Sequence, residues 1–356
     1  MNRLTAIGLA SLVAYGLLIA SKYTGVVSAA REERTPQIAA VDRGPGSVSG
    51  VQTLNAEPRQ ATLQLPAPVA RIEPSRLSAV ALDFRASRDL KSFVDGMASR
   101  RASLTGDERY LLAKALEECQ FATAINEDLA AYSAKQKRQF LAGLPDGDPV
   151  NPKRIAAYEA VDNTQRCIGF QNAKISPRDI EELYRAAAMQ GDPRAQARIL
   201  TAELGKNGNP NRLDTQNVRS PLGGPDELSR MIGLLQSRDP EAVIIVGDYL
   251  SRQSSALRVG PNGEVPEPSA LLGGFSLVAC DLGQDCSSMH RDPQQACAYA
   301  GYCNAQSFEE LYQNFLASPW SYSQAIRYRA MIHTAITTQN WALIGLTPPA
   351  PSTPGQ

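Results

Sequence analysis

Histidine is almost missing from this chain. Two occur in 356 residues, so most imidazole-centred chemistry has nowhere to start. Aromatic side chains are also scarce, at 6%, which argues for close-packed helices rather than a β-sandwich. Net charge is zero, because 36 Lys and Arg balance 36 Asp and Glu. No overall field therefore draws the protein to nucleic acid. The G-x-S-x-G and S-x-x-K signatures of serine nucleophiles are absent. "GSVSG" (Gly46–Gly50) has its serines in the wrong places. "LGKNGNP" (Leu204–Pro210) lacks the spacing and the following Ser or Thr of a phosphate loop, and reads as a helix end entering a turn. No segment alternates apolar and polar residues long enough to predict a sheet.

The N-terminus is what sets the compartment. A cationic tip at Arg3 precedes an uncharged run from Leu4 to Ala20, and Val27-Ser28-Ala29 offers small residues suited to signal peptidase. The run is long for a signal core and short for a membrane span. Residues 1–30 are therefore expected to be a signal peptide or a membrane anchor, with the rest of the chain periplasmic or otherwise exported. Membrane contact would come through this segment if it is not cleaved. In an oxidising compartment six cysteines imply three disulfides, so Cys119, Cys167, Cys280, Cys286, Cys297 and Cys303 are read as bonded.

Proline, glycine and serine from residue 31 to 84 predict a flexible linker, with the apolar patch Leu77–Phe84 leading into the folded part. Residues 85–345 carry helical periodicity and caps, and 346–356 form a Pro-rich tail. Ser87, Thr105, Ser176 and Ser318 are the expected N-caps, the last two followed by proline at the first helical position. "EAVIIVGDYL" (Glu241–Leu250) is β-branched, yet its place after Asp239-Pro240 predicts a buried helix.

"AMQGDPRAQARIL" and "LQSRDPEAVIIVG" align with Asp192-Pro193 over Asp239-Pro240 and Ala195 over Ala242. A third copy places Asp107 over Asp192. Each reads as two helices joined by a short turn whose acid caps the second, with small residues that let the pair approach closely. Such a hairpin cannot bury its inner face alone, so neighbours must stack on it.

Tyr184, Ala187, Ala188, Gly191, Asp192, Ala195 and Gln196 give the aromatic, the alanine pair, the Gly-Asp and the Ala-Gln of a Sel1-like repeat. The stretch from Tyr184 resembles that family, a relative of the tetratricopeptide repeat. The resemblance is good over about twenty residues, fair over Arg230–Leu250 and faint elsewhere. It implies an all-α domain of irregular helical hairpins and an adaptor's role, binding a protein or peptide partner through a groove.

Two C-x5-C units, Cys280/Cys286 and Cys297/Cys303, flank His290. Zinc is disfavoured by the spacing, by the oxidising compartment and by Gly283 and Gly301 at turn positions. Local pairing (280–286 and 297–303) and nested pairing (280–303 and 286–297) are both open. Cysteine-rich members of the resembling family clasp a repeat with closely spaced cysteines, which implies the local pattern. Cys119 and Cys167 are left for each other, closing a loop worth about 3 to 4 kcal/mol.

His333, among apolar residues, reads as a packed core histidine, and His290 as a turn or surface residue. The acid pairs Glu117-Glu118, Glu181-Glu182 and Glu309-Glu310 point in different directions and read as solvated faces. Trp320, Tyr322, Tyr328 and Trp341 read as a late-packing core layer. No catalytic residue, metal or cofactor is assigned. The function expected is an envelope adaptor or scaffold, with an envelope hydrolase as the rival. That rival would need Glu or Asp beside His290 or His333 in a cleft.

Overall fold

The computed structural model describes residues 77–125, 127–207, 222–288 and 290–347. The N-terminal apolar run, the linker up to residue 76 and the tail from residue 348 lie outside the described residues. So do residues 208–221, which take in the end of the Leu204–Pro210 turn. Among the described residues the chain is all-helical, with two isolated β-bridges and no strand. No helix among them is long and apolar enough to cross a membrane.

Folded structure begins inside the stretch assigned to the linker. Helix α1 (Ala79–Ala86) is capped by the Ser78 side chain and buries Ala81 and Phe84. At the other end Leu346, assigned to the tail, is fully buried.

Helix α2 (Leu90–Ala98) is capped by Asp89, whose carboxylate accepts from the Lys91 and Ser92 amides. The expected cap, Ser87, instead ends α1, and its hydroxyl donates to the Asp89 carbonyl. Helix α3 (Gly106–Cys119) opens with a capping box between Thr105 and Glu108. Asp107 therefore lies inside the helix and is not a corner acid like Asp192. Helices α4 (Leu129–Ala142) and α5 (Asn151–Val161) form a short arm.

Helices α6 (Pro177–Met189) and α7 (Pro193–Asn207) follow, then α8 (Pro225–Gln236) and α9 (Pro240–Arg252). The Ser176-Pro177 start is as expected, and Glu241–Leu250 is helical. Helix α10 (Pro268–Asp281) and the long α11 (Pro319–Thr338), capped by Ser318, complete the helices of eight or more residues among the described residues.

The main packing partners run in a row: α3 on α6, α6 on α7, α7 on α9, α9 on α10, and α10 on α11. This row encloses two apolar cores, and α7 belongs to both. Its Ala195 and Ile199 join the first, with Phe84, Leu90, Leu111, Leu129 and Phe170. Ala197, Leu200 and Leu204 join the second, with Met231, Val246, Phe275, Ile332 and Trp341.

The second core depends on close approach at α10. A side chain at Gly274 would come within 2.8 Å of the Tyr328 Cβ and 3.2 Å of the α11 backbone. Glycine there brings the two helices nearly backbone to backbone.

Three disulfides are present: Cys119–Cys167, Cys280–Cys286 and Cys297–Cys303. Of the two patterns left open, the local one is found. The 297–303 loop seats the α4–α5 arm. Phe140 stacks on Tyr158 at 4.3 Å, and Tyr299 meets both edge-on. Arg154 donates to the carbonyls of Ala298 and Tyr299.

Candidate functional site

The site grows from the α6–α7 corner. Gly191 has φ of +86°, a left-handed conformation that glycine adopts without cost, and it turns the chain between the helices. Asp192 then caps α7 by accepting from the Ala195 amide at 3.0 Å. Asp239 repeats this at α9 through Ala242 at 2.9 Å. Ala187, Ala195, Ala197 and Ala242 are fully buried, so small residues do sit where the helices meet.

Along the inner side of α7 runs a charged and aromatic seam. The buried rings of Tyr110 and Tyr184 lie 5.5 Å apart. Arg194 covers Tyr110 at 4.2 Å, and Arg198 covers Tyr184 at 4.3 Å. One helical turn separates the two arginines, so both lie on the same side of α7, each over its own ring. Arg194 donates to Asp192 at 2.6 Å and also to Asp107. Arg198 donates to Glu117, which also accepts from the Tyr184 hydroxyl at 2.8 Å. Glu241, from α9, accepts from Tyr110 at 2.7 Å and Lys114 at 2.5 Å.

Burial pushes the Tyr110 phenol far above its ordinary range, and the Glu241 charge adds to the rise. Burial alone would raise Glu241 as well. Lys114, the Tyr110 hydroxyl and Arg194 outweigh it and hold the carboxyl below the usual range. Each polar group here faces a partner of opposite character, as a structural joint requires.

On the outer side of α6, α7 and α8 lies an open groove of about 640 Å³. Ala188, Ile199 and Leu234 contribute apolar lining, with Gln196 and Gly233 beside them. Met189, at 82% exposure, and the half-exposed Arg185 and Arg230 complete the lining. The Gln196 amide donates to the Ala188 carbonyl, tying the two helices beneath the groove. The lining includes no carboxylate, hydroxyl, thiol or imidazole, so these residues can grip a ligand and have no group to transfer a proton or attack a bond.

The sequence-assigned residues fall elsewhere. All six cysteine sulfurs are in disulfides, which leaves no thiolate to ligate a metal. Among the described residues no cluster of His, Cys, Asp and Glu could hold a metal ion. His290 caps the short helix Arg291–Gln295, and its Nδ1 accepts from the Asp292 amide. Its nearest carboxylate, Asp292, belongs to that same helix. His333 is buried on α11 with Nδ1 unpaired, and burial lowers its pKa. Neither histidine lines the groove. Tyr328 and Trp341 are core residues and Tyr322 packs at the edge of that core, beside Tyr312, whereas Trp320 stands 61% exposed.

The seam is not legible in the sequence, where Glu117 reads as part of a solvated face and Asp192 as a helix cap. Glu117 and Glu118 do point apart, yet each is engaged: Glu117 with Tyr184 and Arg198, Glu118 with Arg166. The usable signal was the Arg194/Arg198 spacing opposite Tyr184. Compared with protein-family models, with curated proteins and with solved structures, the chain matches none.

Proposed function

We propose that this protein is an exported adaptor of the cell envelope, built from diverged Sel1-like hairpins, that binds a protein or peptide partner on its helical row. The groove over α6, α7 and α8 carries this reading, because it is walled by the most Sel1-like stretch and lined for contact rather than catalysis. Three disulfides suit an oxidising compartment, and the N-terminal apolar run suits export. The equivalence of the Asp192 and Asp239 corners supports two related hairpins.

The test places a photo-crosslinking side chain at Met189 and, as a control, at exposed Lys135 on the arm, in cells that make the protein. A discrete protein adduct from position 189 that is absent from position 135 is expected. No adduct at 189, or the same adducts at both positions, contradicts the reading.

A further inference from the structure

We infer that the α6–α8 groove takes an acidic peptide segment carrying an apolar anchor; this rests on the adaptor reading and names its ligand class. Arg185 and Arg230 give the lining two positive charges, and no lining residue is negative. Their own partners, Glu181 at 2.9 Å and Glu203 at 3.8 Å, lie outside the lining and are themselves about half exposed. Exposed, solvent-screened pairs of this kind hold weakly, so an incoming carboxylate can replace them. A guanidinium also offers the planar fork that a carboxylate matches.

Between the two arginines, Ile199 is 8% and Leu234 5% exposed, and with Ala188 they form an apolar floor. Met189 is unbranched and exposed, able to fold over whatever side chain enters. A volume of about 640 Å³ suits a few side chains and not a folded domain. The lining has no aromatic ring on which a base could stack, and the chain carries no net charge to hold a polyanion. Charge at the rim and grease at the floor together select an acidic-apolar peptide.

The experiment measures fluorescence anisotropy with the intact, oxidised chain and three labelled octapeptides. One sets glutamates around a Leu-Phe pair, one replaces the glutamates with lysines, and one replaces Leu-Phe with serines. Binding of the first, at least tenfold tighter than either other, is expected. The Arg185→Glu/Arg230→Glu variant, altered only at exposed side chains, should lose at least tenfold for the acidic peptide and gain for the basic one.

Equal binding of the acidic and basic peptides, or no loss in the double variant, overturns the inference. Binding of anionic lipid vesicles that is lost on charge reversal, with no peptide bound, overturns it in favour of a membrane surface. Should a Met189 adduct form while the acidic peptide fails to bind, the ligand class is wrong and the adaptor reading stands. With no adduct at all, the adaptor reading itself falls.

Discussion

The first core, around Leu90, Leu111 and Phe170, is closed by a long-range disulfide and flanked by the seam of Tyr110, Tyr184, Arg194 and Arg198. The second, around Phe275, Val246 and Ile332, has no long-range disulfide and no stacked Tyr–Arg seam, although Arg329 of α11 pairs with Asp281 of α10. It relies on α10 lying close against α11, and its nearest disulfide, Cys280–Cys286, closes only a local loop at the end of α10. The comparison shows two routes to a buried core. Where helices are rich in charge, a crosslink and stacked polar pairs hold them. Where one helix is apolar on nearly every side, glycine lets packing do so.

Removing the crosslinks should separate the cores most sharply. Cys119 and Cys167 are 48 residues apart and Cys280 and Cys286 only 6. In the chain-entropy account these loops contribute about 4 and about 2 kcal/mol. Cys119→Ala/Cys167→Ala should therefore lower the urea midpoint about twice as far as Cys280→Ala/Cys286→Ala. Equal losses would break the comparison.

Next in size, Gly274→Val should cost about 3 kcal/mol by overpacking, since backbone atoms of α11 stand in the way. Thermal unfolding measures this, and an unchanged midpoint would deny the close approach.

A smaller effect is expected at the seam. Glu241→Gln removes the charge shared by Lys114 and the Tyr110 hydroxyl, at about 1 to 2 kcal/mol near neutral pH. Because the folded carboxyl is held low, its contribution is fully present above about pH 4.3 and fades as pH falls through the depressed value. The gap between wild type and variant in denaturant titrations should narrow steadily on acidification below about pH 4.3. A gap independent of pH would remove the electrostatic cause.

The smallest change is His333→Leu. Burial depresses this imidazole, so the wild type loses stability as pH falls below about 6.5, where the unfolded chain protonates first. The variant should differ by less than about 1 kcal/mol at pH 7 and show a flatter profile between pH 5 and 6.5. An equally steep profile would assign the dependence to other groups.

These contrasts also mark what the sequence could tell. Helices were legible where their ends are local: Thr105 with Glu108, Ser176 before Pro177, Asp192 and Asp239 before proline. Ser87 was misread because Asp89, two residues on, is the better-placed acceptor. The seating of Phe140 and Tyr158 on the 297–303 loop spans about 150 residues, and no local pattern encodes it. The groove was equally hidden. Its helices were foreseen, but the opening between α6, α7 and α8 depends on where Arg230 and Leu234 come to rest.

Native-state hydrogen exchange tests the division into two cores most directly. In oxidised Glu241→Gln, amides of α3 and α6 should lose protection together while those of α10 and α11 keep wild-type values. Equal loss across all four helices would mean that the molecule has one cooperative core, whose two halves the seam couples.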